Sequence, residues 1–228
     1  MWVAVGSRAP YRGVMTADDI LPTYERVAAG FDRHRGKSLF ERAWLDRALA
    51  HAPGRRVLDL GCGSGRPIAQ YLSERRCQVT GVDGAAAMVE LFQSHLPHAE
   101  ALHADMRGLD LQREFDIVLA WNSFFHLKAA DQRAMFAVFA NHCAPGGVLM
   151  FTSGTSDGEV TGHVEGEPVY HASLAPAEYE TLLQDAGFLI LDRRFEDPDC
   201  QGHSIWLLRR KVYAFEKATP GPASSAQL

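Results

Sequence analysis

Three carboxylates set the chemistry of this chain. Asp59 lies at the end of an apolar run and two residues before the glycine cluster Gly61-Cys62-Gly63-Ser64-Gly65. Asp83 closes a second run, Val79-Thr80-Gly81-Val82-Asp83, and Asp105 follows a third in His103-Ala104-Asp105-Met106. Glycine allows a tight turn and a close approach of backbone to ligand. A helix beginning just beyond adds free N–H groups and the positive end of its dipole. The spacing is G-x-G-x-G, with Arg66 where the dinucleotide fingerprint G-x-G-x-x-G has its last glycine. Asp59 would repel a pyrophosphate but can accept hydrogen bonds from an ammonium group. The ligand implied carries both an amine and a carboxylate. Asp83 can accept from two ribose hydroxyls. Asp105 can accept from an adenine amino group, with the Met106 N–H facing a ring nitrogen.

Titratable and aromatic groups fall on the other side of the expected site. Trp121-Asn122-Ser123-Phe124-Phe125-His126 follows a fourth apolar run, and Val169-Tyr170-His171 closes a long glycine-rich stretch. His126 is the first candidate for a general base, because an unperturbed imidazole titrates near neutrality. Tyr170 and His171 are the candidates to face the reacting centre from the opposite wall. Phe124 and Phe125 read equally well as core.

These residues need a scaffold that brings strand ends together. Short apolar strands are expected at 56–60, 78–82, 100–103, 115–120 and 148–152, alternating with helices at 67–74, 85–95 and 131–143. A helix at 176–186 stops at Gly187, and strands at 188–195 and 203–208 close the chain as a hairpin. Alternating strands and helices give a parallel sheet with helices on both faces. The fold class is therefore α/β, a Rossmann-like, mostly parallel seven-stranded sheet with a C-terminal antiparallel hairpin. Ligands bind such sheets beyond the carboxyl ends of the strands. Residues 154–173 are too long for an ordinary connection and read as a mobile, substrate-side loop. The acidic turn 196–203 reads as solvated.

From about Tyr24 to Lys211 the chain resembles a class I S-adenosylmethionine-dependent methyltransferase of the small soluble bacterial type. The resemblance rests on the Asp59 to Gly65 loop and on the two later acids. It implies S-adenosylmethionine as cofactor, S-adenosylhomocysteine as its product and a small-molecule acceptor. It implies cofactor contacts from Asp59, Gly61, Cys62, Gly63 and Pro67 around the loop. Asp83, Gly84 and Met88 would follow on the second strand and its helix, and Asp105, Met106 and Trp121 on the adenine side. An N-terminal helix carrying Tyr24 and Phe31 would cover the methionine portion. Trp121 would cover the adenine or favour the sulfonium through its ring face. Two other readings stay open. One is a non-catalytic binder of the same ligand, and the other is a nucleotide-cofactor oxidoreductase. A DNA amino-methylase is disfavoured, since Trp-Asn-Ser-Phe stands where such enzymes carry Asn/Asp-Pro-Pro-aromatic.

Composition agrees with one domain. The 228 residues are 46% hydrophobic and 22% charged, with a net charge of -5. Lys and Arg are scattered rather than gathered into a face, so nucleic acid is not the expected partner. Cys62, Cys77, Cys143 and Cys200 have no metal-ligand spacing, and reduced thiols in the cytoplasm are expected. His95, His98 and His103 span a helix end, a proline and a strand, so they read as surface histidines with no shared metal. A signal peptide is not expected, and no apolar run reaches membrane length. The domain is expected over 15–217, with a helical cap at 15–53 and the insert at 154–173. Residues 1–14 read as a flexible leader, with Met15 a possible natural start, and 218–228 as a disordered tail.

Overall fold

A computed structural model describes residues 15–212. The expected leader and tail, and residues 213–217 of the expected domain, lie outside the described residues. In chain order, helices α1 (Ile20–His34) and α2 (Arg42–His51) precede β1 (Arg56–Leu60). Then come α3 (Ile68–Glu74), β2 (Gln78–Asp83), α4 (Ala86–His95), β3 (Glu100–His103) and β4 (Phe115–Ala120). Helix α5 (Ala129–His142) leads into β5 (Cys143–Ser153), then β6 (Gly158–Val164) and β7 (Glu167–Ser173). Helix α6 (Pro176–Asp185), β8 (Phe188–Asp197) and β9 (His203–Arg210) complete the described chain.

Seven strands form one sheet in the order β3-β2-β1-β4-β5-β9-β8. Within it only β9 runs against its neighbours, pairing antiparallel with β5 and β8. The mostly parallel sheet with a closing hairpin is therefore present as expected from the sequence. Strand alternation divides the core into two layers. Val57, Ile117, Leu119, Met150 and Leu207 face α2 and α3 on one side. Leu58, Val118, Ala120, Phe151 and Trp206 face α5 and α6 on the other. Each apolar strand thus fills both layers, which is why these runs are apolar throughout rather than alternating with polar residues. The polar exception in β4 is Asp116. It accepts from the Arg56 backbone N–H at 2.9 Å and from the Arg56 guanidinium at 3.0 and 3.2 Å, and this pairing holds its carboxyl below the usual range.

The strand order reverses between β1 and β4, which opens a crevice at their carboxyl ends. Asp59, Asp83 and Trp121 all sit at that edge because they end, or directly follow, β1, β2 and β4.

The stretch at 154–173 departs from the expected loop. It contains β6 and β7, a separate antiparallel two-stranded sheet. Its two central turn residues, Glu165 and Gly166, have φ of 50° and 80°, the arrangement that suits the twist of a two-residue hairpin. The far end of β7 is fastened by a buried network. Gln132 Nε2 donates to Ala172 O at 2.9 Å and to Leu127 O at 2.8 Å, and the Tyr179 hydroxyl donates to Gln132 Oε1 at 2.6 Å. The hairpin tip leans on α1, where His34 Nδ1 lies 2.8 Å from Glu165 Oε2 and Arg26 lies 3.7 Å from Glu167.

On the hairpin, Tyr170 packs with Met15 and Ile20 and donates to Glu159 Oε1 at 2.7 Å. Tyr170→Phe is expected to cost about 1 kcal/mol, the net worth of one such hydrogen bond, and to lower the Tm by about 2–4 °C. Thermal denaturation checks this; an unchanged Tm would mean that the Glu159 contact contributes nothing in solution.

Candidate functional site

Two connected cavities lie at the carboxyl edge of the sheet. The first is a cleft floored by the glycine loop. Gly61 has φ of +73°, and a Cβ there would stand 2.2 Å from Ser123 Cβ, so only glycine lets the loop pass beneath Ser123. Ser123 in turn donates to Leu60 O at 2.6 Å. The roof is α1, which contributes Leu21, Tyr24 and Phe31, with Arg35 just beyond its end. Leu21 lies against Gly84, where an added Cβ would stand 2.6 Å from Leu21 Cδ2.

Most of the expected cofactor residues meet in this cleft. Asp59, Gly61, Cys62, Gly63, Asp83 and Gly84 line it from below. Met88, Asp105, Met106, Trp121 and Tyr24 line the remaining walls. Pro67 does not. It caps α3 and borders a shallow recess with Lys37 and Tyr71 instead. Arg35, just past the end of α1, was not foreseen; its guanidinium lies over the Phe31 ring, 5.6 Å from the centroid.

The electrostatics of the cleft are unusual. Asp59 is 4% exposed, and burial, with Asp83 adding repulsion and Arg35 opposing it, pushes its carboxyl up to about 7. Asp83 is raised by burial too, but it accepts from Gly63 N and Ala85 N, both at 2.9 Å, which pull it back. Asp83 therefore ties the glycine loop to the start of α4 as well as facing the cavity. Asp105 is gripped by Arg107, whose Nε and Nη2 donate to Oδ2 at 2.9 and 2.6 Å. The Cys62 thiol is driven well above its ordinary value by burial, which leaves it inert. Two N–H donors on the cleft wall, Arg66 Nε and Trp121 Nε1, are buried without a partner. The expected surface histidines include a brace: His95 Nδ1 lies 2.9 Å from Ser64 O and Nε2 3.5 Å from Asp32.

His126 reaches the cleft, but both its nitrogens are engaged. Nδ1 donates to Tyr170 O at 2.8 Å, so Nε2 accepts from the Tyr24 hydroxyl at 3.0 Å. Burial, reinforced by nearby His171, lowers its pKa to about 3. Tyr170 and His171 do not act from one wall as expected. Successive β7 residues point to opposite faces, so the Tyr170 ring turns into the Met15 and Ile20 cluster while His171 faces the second cavity. Phe124 is core, and Phe125 packs against His171 at 4.8 Å between ring centroids.

The second cavity is a groove of about 1180 Å³ between the β6–β7 hairpin and the β8–β9 turn. It shares Arg35 and Asn122 with the cleft. The turn expected to be a solvated acidic loop is partly buried. Asp197 accepts from Trp44 Nε1 at 2.8 Å, and His203 lines the groove with its ring stacked 5.7 Å from Trp121. One face of Trp121 is thereby taken.

Residues 57–147 match the family described as a methyltransferase domain. That span, less than half of the chain, carries the sequence of a methyltransferase domain. Among relatives, the cypemycin N-terminal methyltransferase of Streptomyces sp is 32% identical over 46% of this chain and 44% of its own. The ubiquinone biosynthesis O-methyltransferase of Stutzerimonas stutzeri is 26% identical over 48% of each chain. The chain thus spans about half the length of these curated relatives. Among solved structures, the SAM-bound CalS10 amino pentose methyltransferase of Micromonospora echinaspora has a TM-score of 0.66 at 22% identity. The match covers 90% of this chain and 100% of that one. The CcbJ methyltransferase of Streptomyces caelestis has a TM-score of 0.65 at 19% identity, over 87% and 99%. These two structural likenesses concern the fold. The cleft falls inside the methyltransferase domain at Asp59, Asp83 and Asp105, and α1 and the hairpin lie outside the matched span. Among the described residues no group of three or more His, Cys, Asp or Glu could hold a metal, and no helix is long and apolar enough to cross a membrane.

Proposed function

We propose that this chain transfers the methyl group of S-adenosylmethionine to a small polar acceptor. One observation carries the reading: a buried carboxylate, Asp59, and a half-buried one, Asp83, share a cleft with two unpartnered buried N–H groups, Arg66 Nε and Trp121 Nε1. Buried polar groups seek partners, and this set suits a ligand with an ammonium, a carboxylate and neighbouring hydroxyls. When bound, S-adenosylmethionine supplies a methyl carbon activated by a sulfonium leaving group. Asp59 would accept from the ammonium, and Arg66 and Trp121 would donate to acceptor atoms. Asp83 would use the lone pairs left after Gly63 and Ala85 to receive ribose hydroxyls. Asp105 and the Met106 N–H would face the adenine. Displacement then needs orientation and exclusion of water, which α1 provides through Tyr24 and Phe31. A pyrophosphate cofactor fits worse, because the Asp59 and Asp83 carboxylates face the cavity beside the glycine loop. The four thiols are free in this fold, which favours a reducing compartment such as the cytoplasm.

S-adenosylhomocysteine is expected to raise the Tm by roughly 4 °C at ten times its dissociation constant, with NADH inert. No shift with the first, or a shift with the second, overturns the reading. Release of label from methyl-labelled donor to an acceptor separates an enzyme from a non-catalytic binder.

A further inference from the structure

The junction of cleft and groove holds an imidazole that the cofactor assignments above do not use. His203 begins β9, and its Nδ1 lies 2.7 Å from Cys200 O. A carbonyl only accepts, so Nδ1 carries the hydrogen and Nε2 carries the lone pair. That lone pair receives the Asn122 Nδ2 hydrogen at 2.9 Å. The amide is itself oriented, since the Thr152 hydroxyl donates to Asn122 Oδ1 at 3.2 Å and the Asn122 backbone N–H donates to Thr152 Oγ1 at 2.9 Å. Asn122 also holds a left-handed backbone, φ 51°, and such strain gathers at functional positions. The imidazole packs against two rings, Trp121 at 5.7 Å and 22° and Phe40 at 5.4 Å and 31°.

We propose that His203 is the group that takes the proton of the methyl acceptor, and that the acceptor is a hydroxyl or ammonium compound seated in the groove. The inference rests on the methyl-transfer reading. His126 is the alternative, but it lines the cofactor cleft and not the groove, and its nitrogens join α1 to β7 through Tyr24 and Tyr170, whereas His203 lines the groove itself. His203 has one firm anchor at Nδ1, and Asn122, which borders both cavities, guards its lone pair. An acceptor entering the groove displaces the Asn122 amide from Nε2. Its proton moves to Nε2, leaving the bonding electron pair on oxygen or nitrogen. That atom forms its bond to the methyl carbon as the carbon–sulfur bond breaks, with the pair going to sulfur. The positive charge lost by the sulfonium now rests on the imidazolium when the acceptor is a hydroxyl. For an ammonium acceptor, proton loss precedes attack and the methylated nitrogen carries the second charge. In each case the imidazolium returns its proton to water in the groove. The Cys200 carbonyl and the Trp121 and Phe40 faces stabilise the imidazolium while it lasts. Burial and Arg35 oppose it, so the proton is held only in passing.

The test is a crystal structure with S-adenosylhomocysteine, paired with nitrogen-15 histidine spectra of the same complex. The expected result places His203 Nε2 closer to the sulfur than His126 Nε2, with no side chain between, and shows His203 as the Nδ1–H tautomer. A sulfur turned toward His126, or an Nε2–H tautomer at His203, overturns the proposal and leaves methyl transfer standing. Failure of S-adenosylhomocysteine to bind removes both. His203→Gln should leave S-adenosylhomocysteine affinity within about twofold, because the residue serves the acceptor side. A fall beyond about tenfold would make it a donor-side residue and also overturn the proposal.

Discussion

Asp83→Ala is expected to weaken S-adenosylhomocysteine binding by about 30-fold or more and to lower the Tm of the empty protein by about 4–8 °C. Both effects come from one carboxylate with two duties. Its oxygens accept from Gly63 N and Ala85 N, and the substitution strands those N–H groups in a largely buried site. Each stranded group costs about 1 kcal/mol or more, which sets the Tm estimate. The remaining lone pairs face the cleft, where charge-assisted bonds to two hydroxyls are worth about 2 kcal/mol together, the 30-fold estimate. Calorimetric titration and thermal denaturation measure the two separately. A loss of stability with unchanged affinity would reduce Asp83 to a brace for the loop.

The second large effect is a pH dependence of binding carried by Asp59. Its carboxyl lies at about 7 in the folded, empty protein, because burial and Asp83 disfavour its charge. An unfolded aspartate titrates near 3.9. A raised acid makes the fold most stable while the group is protonated, below about pH 4, and that contribution is lost as pH rises toward 7. An ammonium beside Asp59 reverses the preference and expels the proton. Affinity for S-adenosylhomocysteine should therefore climb by up to about tenfold per pH unit between roughly pH 5 and 7, then level off. Titration calorimetry in buffers of different ionisation enthalpy should show proton release at pH 6. Asp59→Asn should bind weakly and without this slope. A flat profile in the unaltered protein would mean that Asp59 is already ionised, or that it faces no cation.

What could be read in the residues was the part carried by local pattern. The apolar runs of β1, β2 and β4 announce strands covered on both faces; Asp59 and Asp83 are placed by where β1 and β2 end, and Asp105 by where β3 ends. The hairpin was hidden because its turn is Glu165-Gly166 rather than the usual Asn-Gly. Almost every β6 residue is also solvent-facing or only partly covered, which leaves no period of two to detect. Tyr170 and His171 were adjacent in sequence, and adjacency in a strand means opposite faces. Pro67 was attached to the loop by proximity alone, although it turns outward at the start of α3. Asn122 and His203 are 81 positions apart and meet only because β9 inserts between β5 and β8. No local signal encodes that contact.

His126 joins two parts of the chain that share no strand and no turn. The Tyr24 hydroxyl from α1 and the Tyr170 carbonyl from β7 meet on opposite nitrogens of one buried ring. Parting either from the ring leaves a desolvated polar atom, and the His34–Glu165 and Arg26–Glu167 pairs resist the same separation at the rim. Helix and hairpin should then open as a single shell. The backbone amides of α1 and β7 would exchange their hydrogens with solvent at matched rates, in a common opening event rather than two independent ones.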